Sequence, residues 1–126
     1  MKLLLDTHIL LWCAENNLPA KFSQYVLDAQ NTLYFSHASI WEVSIKYNLG
    51  RMDFKINPRE LYDGLLSGGY KALPIHLNHI FEISKLPNIH KDPFDRILLS
   101  QAISENCFLL TADKILASYP GPIISA

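Results

Sequence analysis

The chain has 126 residues, 49% of them hydrophobic and 18% charged, with a formal net charge of −1. That length suits one compact domain burying roughly two-thirds of the surface an unfolded chain exposes, and the mixed composition excludes wholesale disorder. Near-neutral charge excludes the simplest kind of nucleic-acid binder, one that coats phosphates with a strongly basic surface. A nucleic-acid partner would need a local patch, or metal ions that the protein recruits.

Lys2 to Leu5 form a short apolar run that stops at Asp6, the pattern of a buried strand. Asp6 and His8 interrupt the run too early for a membrane span, and three leucines are too few for the apolar core of a signal peptide. A cytoplasmic protein without membrane contact is therefore expected. Ile9 to Ala14 carry helical spacing with Asp6 or Thr7 as N-cap, and Phe22, Val26 and Leu27 mark a second helical face. Thr32 to Phe35 is β-prone. Ser36 to Ser39 can cap a helix from about Ala38 to Asn48, closed by Gly50.

Pro58 opens another helix through Leu61, Leu65 and Leu66, which Gly68-Gly69 ends. Ala72 to Ile75 reads as a strand and Leu77 to about Ser84 as a helix. Asp92-Pro93 starts a helix running to Glu105 or Asn106. Cys107 to Leu110 is a second wholly apolar run, and Pro122 to Ser125 a last strand-like stretch. Cys13 and Cys107 lie in apolar surroundings and read as buried free thiols.

Short apolar runs alternating with helices predict an α/β fold whose central parallel sheet is covered on both faces, in a single domain over residues 1–126. Ligands in such sheets bind at the carboxyl ends of the strands, where strand order reverses. Asp6 follows the first strand and Asp113 the Cys107–Leu110 strand, so both should reach the same edge. Each also fits as a helix cap. Glu42 lies in Ile40–Tyr47, whose apolar residues point nearly all round a helix and predict that it is largely buried. An ion pair with Lys46 at i+4 would stabilise Glu42 by only about 0.3–0.5 kcal/mol, small against the cost of burying a charge. A metal or pocket role is thus open beside it. Asp92 fits as N-cap and Pro93 as first helical residue, while Asp95 could reach back to the cap or toward Asp6. Carboxylates gathered at one edge repel unless neutralised, and Mg²⁺ or Mn²⁺ suits an oxygen-ligand site of this kind.

Leu3-Leu4-Leu5-Asp6-Thr7-His8, Ser39-Ile40-Trp41-Glu42-Val43, His90-Lys91-Asp92-Pro93-Phe94-Asp95-Arg96-Ile97-Leu98 and Leu110-Thr111-Ala112-Asp113, in that order, resemble the PIN-domain ribonucleases, and within them the VapC-type toxins of toxin–antitoxin pairs. The resemblance implies a three-layer α/β/α fold and an Mg²⁺- or Mn²⁺-dependent endoribonuclease. Its catalytic, metal-binding acids would be Asp6, Glu42, Asp95 and Asp113, with Thr7 a supporting hydroxyl and Asp92 secondary. It also implies an RNA substrate, a homodimer and a cognate antitoxin. Arg96, Lys46 and Lys114 are candidate RNA contacts.

Other readings have their own marks. A haloacid dehalogenase-type phosphatase would use Asp6 as nucleophile but expects a second aspartate where this chain has His8. A housekeeping PIN nuclease, or a PIN module that binds RNA or protein without cutting, would share the fold. His76 and His79 have i, i+3 spacing but no nearby third zinc ligand, and read as solvated helix residues. His37 and Trp41 carry no catalytic signal. Trp12, Tyr47, Phe54 and Tyr62 read as core or dimer-interface residues.

Overall fold

A computed structural model describes residues 1–125. In chain order the elements are β1 (Lys2–Leu5), α1 (Thr7–Ala14), α2 (Ala20–Val26), β2 (Thr32–Ser36), α3 (His37–Asn48), α4 (Pro58–Ser67) and β3 (Lys71–Leu73). There follow α5 (Leu77–Ile83), α6 (Pro93–Ser104), β4 (Phe108–Thr111), α7 (Lys114–Ala117) and β5 (Ile123–Ser125). Every strand and helix expected from the sequence is present, with ends shifted by a residue or two. Only α7 was not foreseen. Its four residues are too short for a periodic signal, and it is held by Asp113, whose carboxylate accepts from the amides of Ile115 and Leu116.

The strands form one parallel sheet in the order β3-β2-β1-β4-β5. Strand alternation divides the core into two layers. Leu3, Leu5 and Leu110 point to one face and pack with Ile9, Leu10, Phe22, Val43, Leu61 and Leu65 from α1 to α4. Leu4 and Leu109 point to the other and pack with Leu98, Leu99, Ala102, Leu116 and Tyr119. The three-layer α/β/α arrangement follows directly from this alternation. Each fully buried leucine contributes roughly 1.5–3 kcal/mol, so β1 and β4 are rigid supports for whatever follows them.

Gly50 closes α3 with φ +70°, a conformation that L side chains rarely adopt. The expectation that α3 is largely buried holds for only part of its surface. Ala38, Ser39 and Val43 are buried, whereas Trp41 is 60% exposed and Ile45 and Tyr47 are also exposed. A helix with apolar residues all round can bury just the stripe that meets the sheet. The remainder is exposed.

His79 corrects a second expectation. It is fully buried rather than solvated. Its Nδ1 accepts from the His76 amide at 3.0 Å and its Nε2 meets Glu105 at 2.9 Å, joining the start of α5 to the end of α6. Cys13 is half-buried and Cys107 buried, both as free thiols. Among the described residues, no helix is long and apolar enough to cross a membrane.

Candidate active site

Strand order reverses between β1 and β4, because β2 and β3 lie on one side of β1 while β4 and β5 lie on the other. At the carboxyl ends of these two central strands lies a cleft of about 370 Å³ lined by Asp6, Thr7, His8, Leu11, Trp12, Glu42, Lys46, Asp92, Asp95, Ala112 and Asp113. It brings together all four principal acids singled out in the sequence, along with Thr7, Asp92 and Lys46.

Three of the aspartates cap helices and line the cleft at once. Asp6 caps α1, its Oδ1 accepting from Ile9 N at 2.9 Å while the Thr111 hydroxyl donates to Oδ2. Asp113 caps α7 through Oδ1, at 2.8 Å from Ile115 N, and turns Oδ2 toward His90 at 3.4 Å. Asp92 caps α6 through Oδ1, at 2.8 Å from Phe94 N. Capping and site roles are therefore compatible. One oxygen satisfies orphan amides at a helix start, which fixes the carboxylate's direction.

Glu42 makes the ion pair with Lys46 and also lines the cleft. Its Oε2 lies 3.5 Å from Lys46 Nζ, whereas Oε1 is buried and accepts no hydrogen bond from the described residues. Thr7 donates to the buried Ser39 hydroxyl at 2.9 Å, so it ties α1 to the helix carrying Glu42 rather than bonding Asp6. Asp95 projects from the first turn of α6, and its Oδ2 lies 2.8 Å from His90 Nε2.

The electrostatics follow from burial first, then from neighbouring charges and hydrogen bonds. Burial pushes the Asp95 carboxyl up to about 7, the charges of Asp92, Asp113 and Asp6 push the same way, and His90 pulls against them. Burial also raises Asp6, more than Thr111 and the Ile9 amide lower it. Asp113 is held below the usual carboxylate range. Burial opposes its ionisation, but the amides of Leu116 and Ile115 together with His90 outweigh it.

His90 had no role in the sequence reading beyond its place in a matched stretch. With Asp95 and Asp113 it forms a set of three donor atoms within 4.8 Å of one another. Its Nδ1 accepts from the Asp92 amide at 3.3 Å, which leaves the ring proton on Nε2, facing the two carboxylates. Thr111 was likewise missed. It holds Asp6 and accepts from the Asp113 amide at 3.0 Å, so one hydroxyl spans both acids. Each makes one of its contacts to the acids across the chain, His90 to Asp113 and Thr111 to Asp6, which no local pattern reports.

Arg96 has a different position from the one expected. Its NH1 donates to the Pro87 carbonyl at 3.0 Å and to Tyr119 Oη at 3.1 Å, and NH2 donates to the Ile83 carbonyl at 3.2 Å. Those donors are spent on the loop that carries His90, whose amide in turn bonds Tyr119 Oη at 2.7 Å. Lys114 is exposed at the start of α7 and does not line the cleft.

A family model for the PIN domain matches residues 3–122. No curated protein matches the sequence significantly. Among solved structures, a chain of VapBC2 from Rickettsia felis, bound to a DNA fragment from the promoter, is 18% identical with a TM-score of 0.77, covering 99% of this chain and 98% of that one. VapBC-1 from nontypeable Haemophilus influenzae gives 19% identity and a TM-score of 0.68, with coverage of 99% and 98%. The PIN domain endonuclease Utp24 gives 16% identity and a TM-score of 0.57, covering 99% of this chain and 84% of that one. With a family model spanning nearly its whole length and its acids gathered where strand order reverses, the chain belongs to the PIN-domain family of nucleases.

Proposed function

We propose that this protein is an Mg²⁺- or Mn²⁺-dependent endoribonuclease that acts as the toxin of a toxin–antitoxin pair, with Asp6, Glu42, Asp95 and Asp113 as its metal-binding and catalytic acids. The observation that carries the reading is their meeting in one cleft where Glu42 Oε1 is buried without a partner. A buried, unbonded carboxylate oxygen is costly, and a cation satisfies it. The donor set fits: hard carboxylate oxygens, a surplus of negative charge, and an Asp95 whose raised pKa a cation would bring down. When bound, the ion would supply water activation and charge neutralisation for in-line displacement at phosphorus.

The chain's own residues do the positioning. Caps on α1 and α7 orient Asp6 and Asp113 before any ligand arrives. The Nε2 proton of His90 holds the Oδ2 atoms of Asp95 and Asp113 near each other. Lys46 neutralises one oxygen of Glu42 and leaves the other free. An uncompensated cleft of this charge repels phosphodiesters, so cleavage should be silent under chelation.

A cognate antitoxin and a homodimer belong to the same reading. The structural likeness to chains of VapBC assemblies supports the first. For the second, an apolar groove of about 230 Å³ lies between Trp41, Ile80, Ile83 and Phe94, with Trp41 and Ile80 exposed at its walls. Burial of that surface would account for the unburied side of α3.

The test is cleavage of RNA by the purified protein in Mg²⁺ or Mn²⁺, compared with chelator and with Asp6→Asn whose fold is checked by circular dichroism. Loss of cleavage in both comparisons is expected. Undiminished cleavage by the variant in chelator would refute the reading.

A further inference from the structure

One stretch of the cleft lining is not acidic. His8, Leu11 and Trp12 line it from α1. His8 and Trp12 stand four residues apart and so share a helix face. Their ring centroids are 4.3 Å apart at an interplanar angle of 64°, an edge-on pair. On its other side Trp12 packs against the fully buried Phe22, at 6.0 Å between centroids. The indole is thus braced by the core while remaining half-buried, and His8 is exposed.

Core packing accounts for the contact with Phe22 but not for an aromatic pair kept open to a cleft full of carboxylates. An indole offers no metal ligand. Two rings set edge-on form a corner that holds a flat, apolar face on two sides, and the matching chemistry in an RNA is a nucleobase. Base–aromatic stacking tolerates any sequence, because every base presents a π-face. A base must be unpaired and unstacked to be reached this way, so the corner also discriminates against duplex. His8 lies two residues from Asp6, which places the corner beside the acids rather than at a distance.

We infer that His8 and Trp12 form a platform on which an unpaired base next to the scissile phosphate stacks, making them positioning residues for RNA in this cleft. The inference rests on the ribonuclease reading above and adds the residues that seat the substrate.

The experiment uses single-stranded RNA oligonucleotides spanning a mapped cleavage site, either intact or carrying an abasic nucleotide on one side of the scissile bond. Kinetics are measured for wild type, His8→Ala, Trp12→Leu and Trp12→Phe. An abasic nucleotide at one flanking position should raise the KM of wild type about tenfold while kcat changes by less than about twofold. His8→Ala and Trp12→Leu should raise KM for intact RNA comparably and remove the extra penalty of the abasic site, and Trp12→Phe should restore both. Equal KM for intact and abasic RNA on wild type, or an unchanged KM in His8→Ala, would overturn the platform and leave the nuclease reading standing. Absence of any cleavage by wild type in Mg²⁺ and Mn²⁺ would overturn both. Trp12→Leu can disturb folding through Phe22, so the exposed His8 and the abasic substrate carry the decision if it does.

Discussion

Two histidines meet carboxylates in different parts of this molecule, and only one of them does so among the acids of the cleft. His79 and Glu105 meet at 2.9 Å beneath α5, with the second ring nitrogen bonded to the His76 amide. One imidazole faces one acid and both ring nitrogens are used. His90 meets Asp95 at 2.8 Å and Asp113 at 3.4 Å, two of the acids that line a cleft together with Asp6, Glu42 and Asp92. Here carboxylates outnumber the groups that could neutralise them, and the cleft is open. Contact chemistry is the same in both places. Stoichiometry and access separate a structural clasp from an open acidic cleft, where the proposed function puts a cation and a phosphodiester.

The largest expected effect breaks the acidic side of the comparison. Asp95→Asn should reduce RNA cleavage by roughly a thousandfold, since the proposed ion would supply several kcal/mol of transition-state stabilisation. The same change should make the metal-free protein more stable at pH 8, because it removes a charge from a crowded cleft. A chemical denaturation series run beside the activity assay checks both.

Arg96→Ala should come next. Without the guanidinium bridging the carbonyls of Ile83 and Pro87 to Tyr119, the loop holding His90 loosens. Changes of this kind behind a metal site typically cost 10- to 100-fold, and the lower end, about tenfold in cleavage, is expected here. Glu105→Ala, in contrast, should leave cleavage within about twofold. It should cost about 1–3 kcal/mol of stability by stranding the buried Nε2 of His79, read from urea denaturation.

A further effect is in pH. Asp95 has a folded-state pKa near 7, above the ordinary value of 3.8. The native state therefore binds more protons than the unfolded chain between those values, so metal-free stability should fall as pH rises through that window. Divalent metal should reverse the trend, raising Tm more at pH 8 than at pH 5. The Glu105→Ala variant should show the same metal response, which confines the effect to the cleft.

Much of this organisation was legible in the sequence. Apolar runs ending in Asp6 and before Asp113 marked two strand ends at one sheet edge, because a parallel sheet buried on both faces writes itself as unbroken leucine. The acids of the cleft were found because each begins a helix or sits on a largely apolar one. What escaped depends on partners far along the chain. The burial of His79 needs Glu105, 26 residues away. The work of Thr111 needs Asp6, 105 residues away. Arg96 reads as a free surface cation until the carbonyls of Ile83 and Pro87 are seen around it. The exposed side of α3 was illegible for another reason: periodicity reports how many faces are apolar, not how many the fold can cover.

Mn²⁺ titration by calorimetry of wild type, Asp6→Asn and Glu105→Ala bears most directly on the distinction between the surroundings of His79 and those of His90. Wild type and Glu105→Ala should bind the ion alike, and Asp6→Asn should lose binding while keeping its fold. Equal binding by all three proteins, or none by wild type, would contradict a metal site in the acidic cleft.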